Sequence, residues 1–140
     1  MSKAPRYDAI QVGHEIPSLA LPALTRTTLA LYAGASGDHN PVHIDIDFAR
    51  RAGLSDVIAH GMLGMAWLGR LITQWAPQAE LRRFDVRFQG ITHIGHVITC
   101  CGKVVGKVEE GGEKRVLLEI RTVDQDGQVR TAGMAVVALA

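Results

Sequence analysis

From Gly61 to Trp75 the chain has so few polar positions that a helix there could show almost no polar face, and this limits what it can fold into. Met62, Leu63, Met65, Ala66, Leu68, Leu71, Ile72 and Trp75 cover most of the helical circumference, with Arg70, Thr73 and Gln74 as the few exceptions. A helix that is apolar nearly all round has to be buried by other structure. Pro77 follows soon after its end. The chain must therefore supply a wrapping, and the residues after position 80 read as that wrapping.

Phe84, Val86 and Phe88 alternate with Asp85, Arg87 and Gln89, the period of two that marks a half-buried strand. A second strand is expected over Val97 to Val108, a third over Arg115 to Asp124 with Val116, Leu118 and Ile120 on one face, and a fourth over Val129 to Ala140. Glu110-Gly111-Gly112-Glu113 and Asp126-Gly127 supply the turns between them. Three long strands joined by tight turns make an antiparallel meander, and a meander curled round one apolar helix is an α+β architecture. Before the helix, Ile16 to Leu24 is apolar but carries Pro17 and Pro22, which predicts an edge or terminal strand. Thr25 is placed to cap a short helix through Thr28, Leu29, Leu31, Tyr32 and Ala35, ended by Gly34, Gly37 and Pro41. A second short helix spans Asp45 to Ala52, with Asp45 and Asp47 as a capping pair.

The chain has 140 residues, enough for one domain that needs neither disulfide nor metal to hold it. Fifteen basic and fourteen acidic residues leave a net charge of +1, which speaks against a general nucleic-acid binder. No apolar run reaches the ~20 residues of a membrane helix, and residues 1–8 lack the apolar core of a signal peptide. A soluble cytoplasmic protein is expected. Cys100 and Cys101 are adjacent. Neighbours on a strand face opposite ways, so two free thiols are expected rather than a bond. His93 and His96 would share a face only on a helix, and no carboxylate or cysteine set with metal spacing accompanies them, so no metal site is expected. His14 and His39 have no obvious partner. No nucleotide-binding glycine loop and no Gly-x-Ser-x-Gly elbow occurs.

Chemistry concentrates in Ser36-Gly37-Asp38-His39-Asn40-Pro41-Val42-His43. Asp38 and His43 are five apart, the wrong spacing for one helical face. Pro41 opposes a helix, Asn40 before it is pushed toward extended backbone, and Gly37 permits a bend. The segment reads as a loop that can turn Asp38 and His43 toward one point, where a carboxylate beside an imidazole moves protons. On these residues alone an equal reading stays open, in which Asp38 only stabilises the turn and His43 is a surface residue. A second constellation is Ala59-His60-Gly61-Met62. Gly61 opens the apolar helix, where unpaired N–H groups carry partial positive charge and an anionic oxygen could approach the backbone. A plain helix start explains the same residues.

These two segments resemble the signatures of the MaoC-like dehydratases, which include R-specific enoyl-CoA hydratases and (3R)-hydroxyacyl-ACP dehydratases. The first runs from Tyr32 through Ser36-Gly37-Asp38-His39-Asn40-Pro41-Val42-His43, with Ala49 downstream; the second is Ile58-Ala59-His60-Gly61-Met62-Leu63. The resemblance covers nearly the whole chain, as one domain over residues 1–140. It implies a hot-dog fold, a long helix lying in a curved antiparallel sheet. It also implies that Asp38 and His43 are the catalytic pair, and that Gly61, Asn40, Ser36 and His60 form the oxyanion and substrate-binding set, with Asn40 helping to hold the loop. The implied reaction is reversible hydration of a trans-2-enoyl thioester to its (3R)-3-hydroxyacyl form, carried on CoA or acyl carrier protein, with no cofactor. A homodimer is implied, and some relatives pair with a different hot-dog subunit.

Leu63, Met65 and Trp67 are candidates for an acyl pocket, although ordinary core is the simpler reading of each. Gly64 and Gly69 leave room either for a chain or for close packing of helix on sheet. Arg82, Arg83 and Arg87 could meet phosphate or an acidic carrier, and a solvated strand face explains them equally well. Two other functions remain: a hot-dog acyl-thioesterase, and a non-catalytic acyl-thioester-binding subunit of a heteromeric dehydratase. The loop that carries both Asp38 and His43 speaks against each.

Overall fold

The computed structural model describes residues 4–140 of the chain. Its second half forms strands because its apolar residues alternate. β3 (Thr99–Glu110), β4 (Glu113–Val123) and β5 (Val129–Ala138) are successive antiparallel neighbours. Val104, Val116, Leu118, Ile120, Ala135 and Val137 are fully buried on the inner face, as a period of two requires. The turns rest on Gly111, Gly112 and Gly127, all at positive φ, a region that glycine enters without strain. β2 (Leu81–Phe88) pairs with β5, and β1 (Glu15–Ala20) with β3, giving the order β1-β3-β4-β5-β2. Each strand pair carries a shift of register, and such bulges bend and twist a sheet.

The strands differ by a few residues from their expected spans, β4 running Glu113–Val123 and β5 ending at Ala138, and in two of them the reason is visible. β1 ends at Ala20 rather than Leu24, although the Leu21 and Leu24 amides still donate to the Ile98 and His96 carbonyls. It is an edge strand as predicted, and Pro17 falls where its register with β3 shifts, so the missing N–H interrupts no ladder. β3 begins at Thr99 rather than Val97, because the Val97 amide donates to the Gln125 side chain.

α3 (Gly61–Trp75) lies against the concave side of the sheet. Its Leu68, Leu71 and Ile72 are buried against Val104, Val116, Leu118, Ile120 and Val137. Each such side chain contributes about 1.5–3 kcal/mol. Gly64 and Gly69 serve close packing: a Cβ on Gly64 would sit 2.8 Å from the Thr131 hydroxyl, and one on Gly69 3.4 Å from the Phe84 ring. The expected enclosure is nevertheless incomplete. Met62, Ala66, Arg70 and Thr73, at steps of three or four, form an exposed stripe. A five-stranded sheet reaches round one side of a helix only. α1 (Arg26–Ser36) and α2 (Ile46–Arg51) belong to a second cluster at the N-terminal end of α3, built from Leu24, Leu29, Ala49, Val57, Ala59 and Leu63. Trp67 packs against both clusters. A helix lying in a curved antiparallel sheet is the hot-dog fold.

The caps follow the sequence. Thr25 Oγ1 accepts the Thr28 amide at 3.2 Å, and Asp45 accepts the amides of Asp47 and Phe48. Cys100 and Cys101 are free thiols. Burial pushes the Cys100 thiol up to about 12, so it acts as a small core hydrophobe.

Gly133 of β5 pairs with Val86 of β2. A Cβ there would overlap the Asp85 carbonyl oxygen, whereas one on Gly34 in α1 would meet nothing within 4 Å. Gly133→Ala is expected to lower stability by more than the ~1–3 kcal/mol of ordinary overpacking. Gly34→Ala is expected to raise it by about 0.5–1 kcal/mol. Thermal melts followed by circular dichroism check both.

Candidate active site

The loop after α1 is folded by its own side chains. α1 stops at Ser36 because Gly37 adopts a φ of 76°, the left-handed cap that glycine favours. From there every second side chain holds the amide two residues on. Ser36 Oγ accepts from the Asp38 amide at 3.2 Å, Asp38 Oδ1 from the Asn40 amide at 3.1 Å, and Asn40 Oδ1 from the Val42 amide at 3.2 Å. Short polar side chains favour such local bonds. Asn40 keeps an extended ψ of 125°, and Pro41–His43 forms one 3-10 turn with the proline at its start, where no N–H is required. The segment is thus a loop plus a single helical turn, rather than loop throughout.

That turn carries His43 inward while Asp38 stays half exposed. His43 Nδ1 lies 2.7 Å from the Ile58 carbonyl oxygen. A carbonyl only accepts, so Nδ1 holds the hydrogen and Nε2 of the neutral ring offers its lone pair. Nε2 lies 3.9 Å from Asp38 Oδ2. This is too long for a direct hydrogen bond and short enough for one water to touch both. Ile58 is fixed in turn: its amide donates to the Val42 carbonyl, and the next amide, of Ala59, donates to Thr92.

His60 precedes α3 and is 2% exposed. Its Nε2 donates to the backbone carbonyl of Asp38 at 3.0 Å. Its ring stacks on His43 with centroids 3.8 Å apart and planes 22° apart, and the Tyr32 ring meets it edge-on at 4.8 Å. Nδ1 is buried with no partner among the described residues. Burial and the neighbouring His43 hold the His60 imidazole below its usual pKa. Burial and the Asp38 charge push the Tyr32 phenol up.

Asp38, His43 and His60 are also the grouping among the described residues whose donor atoms approach a metal's needs, all within 4.8 Å. The stack speaks against a shared ion. Imidazole lone pairs lie in the ring plane, and two planes tilted by 22° and separated by a ring's thickness meet well beyond the ~2 Å reach of a metal–nitrogen bond. His93 and His96 contact each other instead, with His96 Nδ1 accepting the His93 amide at 3.1 Å.

A cleft of about 410 Å³ opens beside His43, within the usual range for small-ligand sites. His43, Ile58, His60, Gly61 and Gly64 line one side, and Phe88 to Thr92 with Thr131 the other. Gly61 is the first residue of α3, so its amide has no partner within the helix. Leu63, Met65 and Trp67, expected as an acyl pocket, do not line this cleft. Leu63 is buried in the N-terminal cluster and Trp67 packs between the two clusters, which follows from α3 pressing those faces onto its neighbours. Ser36, Asp38 and Asn40 do not line it either; their oxygens fold the loop, and Asp38 reaches the site through its approach to His43. Of the arginines considered for phosphate, Arg82 is paired with Glu113 and Glu80, and Arg83 with Asp85.

Of the Phe88–Thr92 wall the sequence marks only Phe88 and Gln89, as the end of an alternating strand, because what fixes the rest is remote. The Gln89 and Gly90 amides both donate to the Arg130 carbonyl. The Arg130 guanidinium passes over Gly90 and bonds Asp124, whose carboxylate is 1% exposed and also accepts the Asp126 and Gln128 amides. The Arg130 hydrogen bond, reinforced by those amides, holds the Asp124 carboxyl below its usual range. A depressed folded-state pKa gives stability that is present above the unfolded value near 3.9 and is lost as pH falls through the folded one. Asp124→Asn should therefore melt lower than the parent at pH 7, with the gap closing below about pH 4. Paired melting curves across that range check it.

A model of the MaoC like domain matches residues 13–125. The β subunit of fatty acid synthase from Saccharomyces cerevisiae is 30% identical over 118 residues, 82% of this chain and 6% of that subunit. The (R)-specific enoyl-CoA hydratase of Rhodospirillum rubrum is 29% identical over 89 residues, 62% of each chain. The chain thus spans less than two thirds of either relative. Among solved structures, the unliganded R-hydratase PhaJ1 from Pseudomonas aeruginosa superimposes with a TM-score of 0.82 at 27% identity, over 96% of this chain and 85% of that one.

Proposed function

The chain belongs to the family of MaoC-like domains, and from that premise we propose that it hydrates trans-2-enoyl thioesters reversibly to (3R)-3-hydroxyacyl thioesters. One observation carries the reading: the Asp38 carboxylate lies 3.9 Å from an imidazole nitrogen of His43, and His43 lines a cleft that Gly61, the first residue of α3, also lines. The names of the relatives support the same chemistry.

In the proposed reaction the thioester oxygen lies at the Gly61 amide and the β-carbon faces the gap between Asp38 and His43. Water bridging those two groups attacks the β-carbon. Negative charge then builds on the thioester oxygen, where the amide and the helix dipole stabilise it more than the ground-state carbonyl. Besides the hydrogen that His43 Nδ1 keeps on the Ile58 carbonyl, the reactive form carries one transferable proton between the Asp38 carboxyl and His43 Nε2. One member takes the proton that the water loses, and the other delivers its proton to the α-carbon, so the pair ends with the proton count it began with. Both sit on one side of the substrate, which favours syn addition.

The acyl carrier is CoA or acyl carrier protein. The proposed assembly is a homodimer, because the outer edge of β2 is unpaired and Met62, Phe88 and Ile91 stand exposed beside the cleft; a related hot-dog subunit could take the second place.

Crotonyl-CoA tests the reading through loss of its conjugated-enoyl absorbance, with chiral analysis of the product. The 3R alcohol is expected. Asp38→Asn and His43→Ala should each lower turnover by at least the ~10²–10⁴-fold of general acid–base assistance. Near-full turnover in both variants would remove the mechanism. Release of free thiol in place of hydration would make the chain a thioesterase.

A further inference from the structure

His60 touches both members of the proposed pair by different means. Its ring lies flat on the His43 imidazole, and its Nε2–H holds the Asp38 carbonyl. We propose that His60 is a positioning residue, which fixes the plane of the His43 ring by stacking and the backbone of Asp38 by hydrogen bonding, and so sets the gap that the attacking water fills. The inference rests on the functional reading above and assigns the resemblance's substrate-binding histidine a different task.

Each contact supplies a restraint that the rest of the site lacks. His43 is tied through Nδ1 to Ile58, and one hydrogen bond still allows the ring to tilt about it. A second ring on its face removes that freedom. The Asp38 side chain is half exposed and is held through Oδ1 by the Asn40 amide. Its carbonyl hangs from His60 across 22 residues of sequence, which ties the loop to the start of α3. The same clamp therefore relates the pair to the Gly61 amide next door. Tyr32 backs the ring edge-on from α1.

The geometry also keeps His60 out of proton transfer. Its Nε2 hydrogen is committed to a carbonyl. A proton on Nδ1 would be buried with no acceptor among the described residues and would set a cation on His43. The ring stays neutral, which suits a spacer between groups that exchange protons. Histidine is needed because the place requires a flat face and an N–H at its rim. Phenylalanine keeps the face and loses the donor; glutamine keeps a donor and loses the face.

The test measures kcat and KM for crotonyl-CoA in His60→Phe and His60→Gln, alone and combined with Asp38→Asn. Each single variant should lose about 10–100-fold in kcat, the scale of a 1 Å misplacement, with KM changed by less than about threefold. In the Asp38→Asn background, His60→Phe should cost less than about twofold more, because it acts through a group already disabled. Circular dichroism melts identify folded variants, and whichever variant folds decides the matter. Full additivity in the double variant, a raised KM with unchanged kcat, or near-parental kcat in the folded variants would overturn the proposal. Failure of both to fold would overturn it too, by making the ring a core element. If instead Asp38→Asn and His43→Ala keep their turnover, the functional reading falls first and takes this inference with it.

Discussion

The burial of one face of α3 against the concave sheet supports everything else in the molecule. Leu68, Leu71 and Ile72 find their partners on β3, β4 and β5, and the helix can lie there only because Gly64 and Gly69 let it approach Thr131 and Phe84. That docking fixes where the helix begins. Its first residue, Gly61, then lies against the Phe88 ring, at the end of the sheet where β2 gives way to the Phe88–Thr92 wall. The cleft is thus a consequence of how a rod sits in a trough: the rod's open end and the trough's rim leave a gap between them.

The polar machinery is hung on that frame by backbone carbonyls. Ile58 holds His43, and Asp38 presents its own carbonyl to His60. Carbonyls cannot donate, so each imidazole has its tautomer set by the bond it makes. This leaves His43 with a lone pair facing Asp38 and His60 with a bare, buried Nδ1. The wall opposite is held in the same spirit by Arg130, whose carbonyl takes two amides and whose guanidinium meets the sequestered Asp124 carboxylate. A buried charge of this kind keeps its place because it is paired and hydrogen-bonded from several sides.

Much of the fold was legible because its signals are local and periodic. Alternation at Phe84, Val86 and Phe88 and in Val116, Leu118 and Ile120 marked the strands, and Gly111-Gly112 and Asp126-Gly127 marked the turns. Thr25 and Asp45 announced their caps. Boundaries slipped where a non-local bond intervened, as when the Gln125 side chain captured the Val97 amide. The site was legible in the same uneven way. Ser36, Asp38 and Asn40 at steps of two form a ladder that follows from short polar side chains and a proline. Leu63, Met65 and Trp67 signal only apolarity, which does not say which way a helix face turns, and none of the three lines the cleft beside His43.

The sequence by itself determined a loop bent by Gly37 and Pro41, an apolar helix opening on glycine and an alternating second half, because turn chemistry and hydrophobic period act between near neighbours. Only the tertiary structure decided that His60 lies on His43, that the Met62–Arg70 stripe of α3 is exposed, and that Thr131 and the Phe88–Thr92 wall line the cleft. Those outcomes depend on contacts between segments far apart in the chain. Their geometry is set by how the helix docks in the sheet, which no local pattern records.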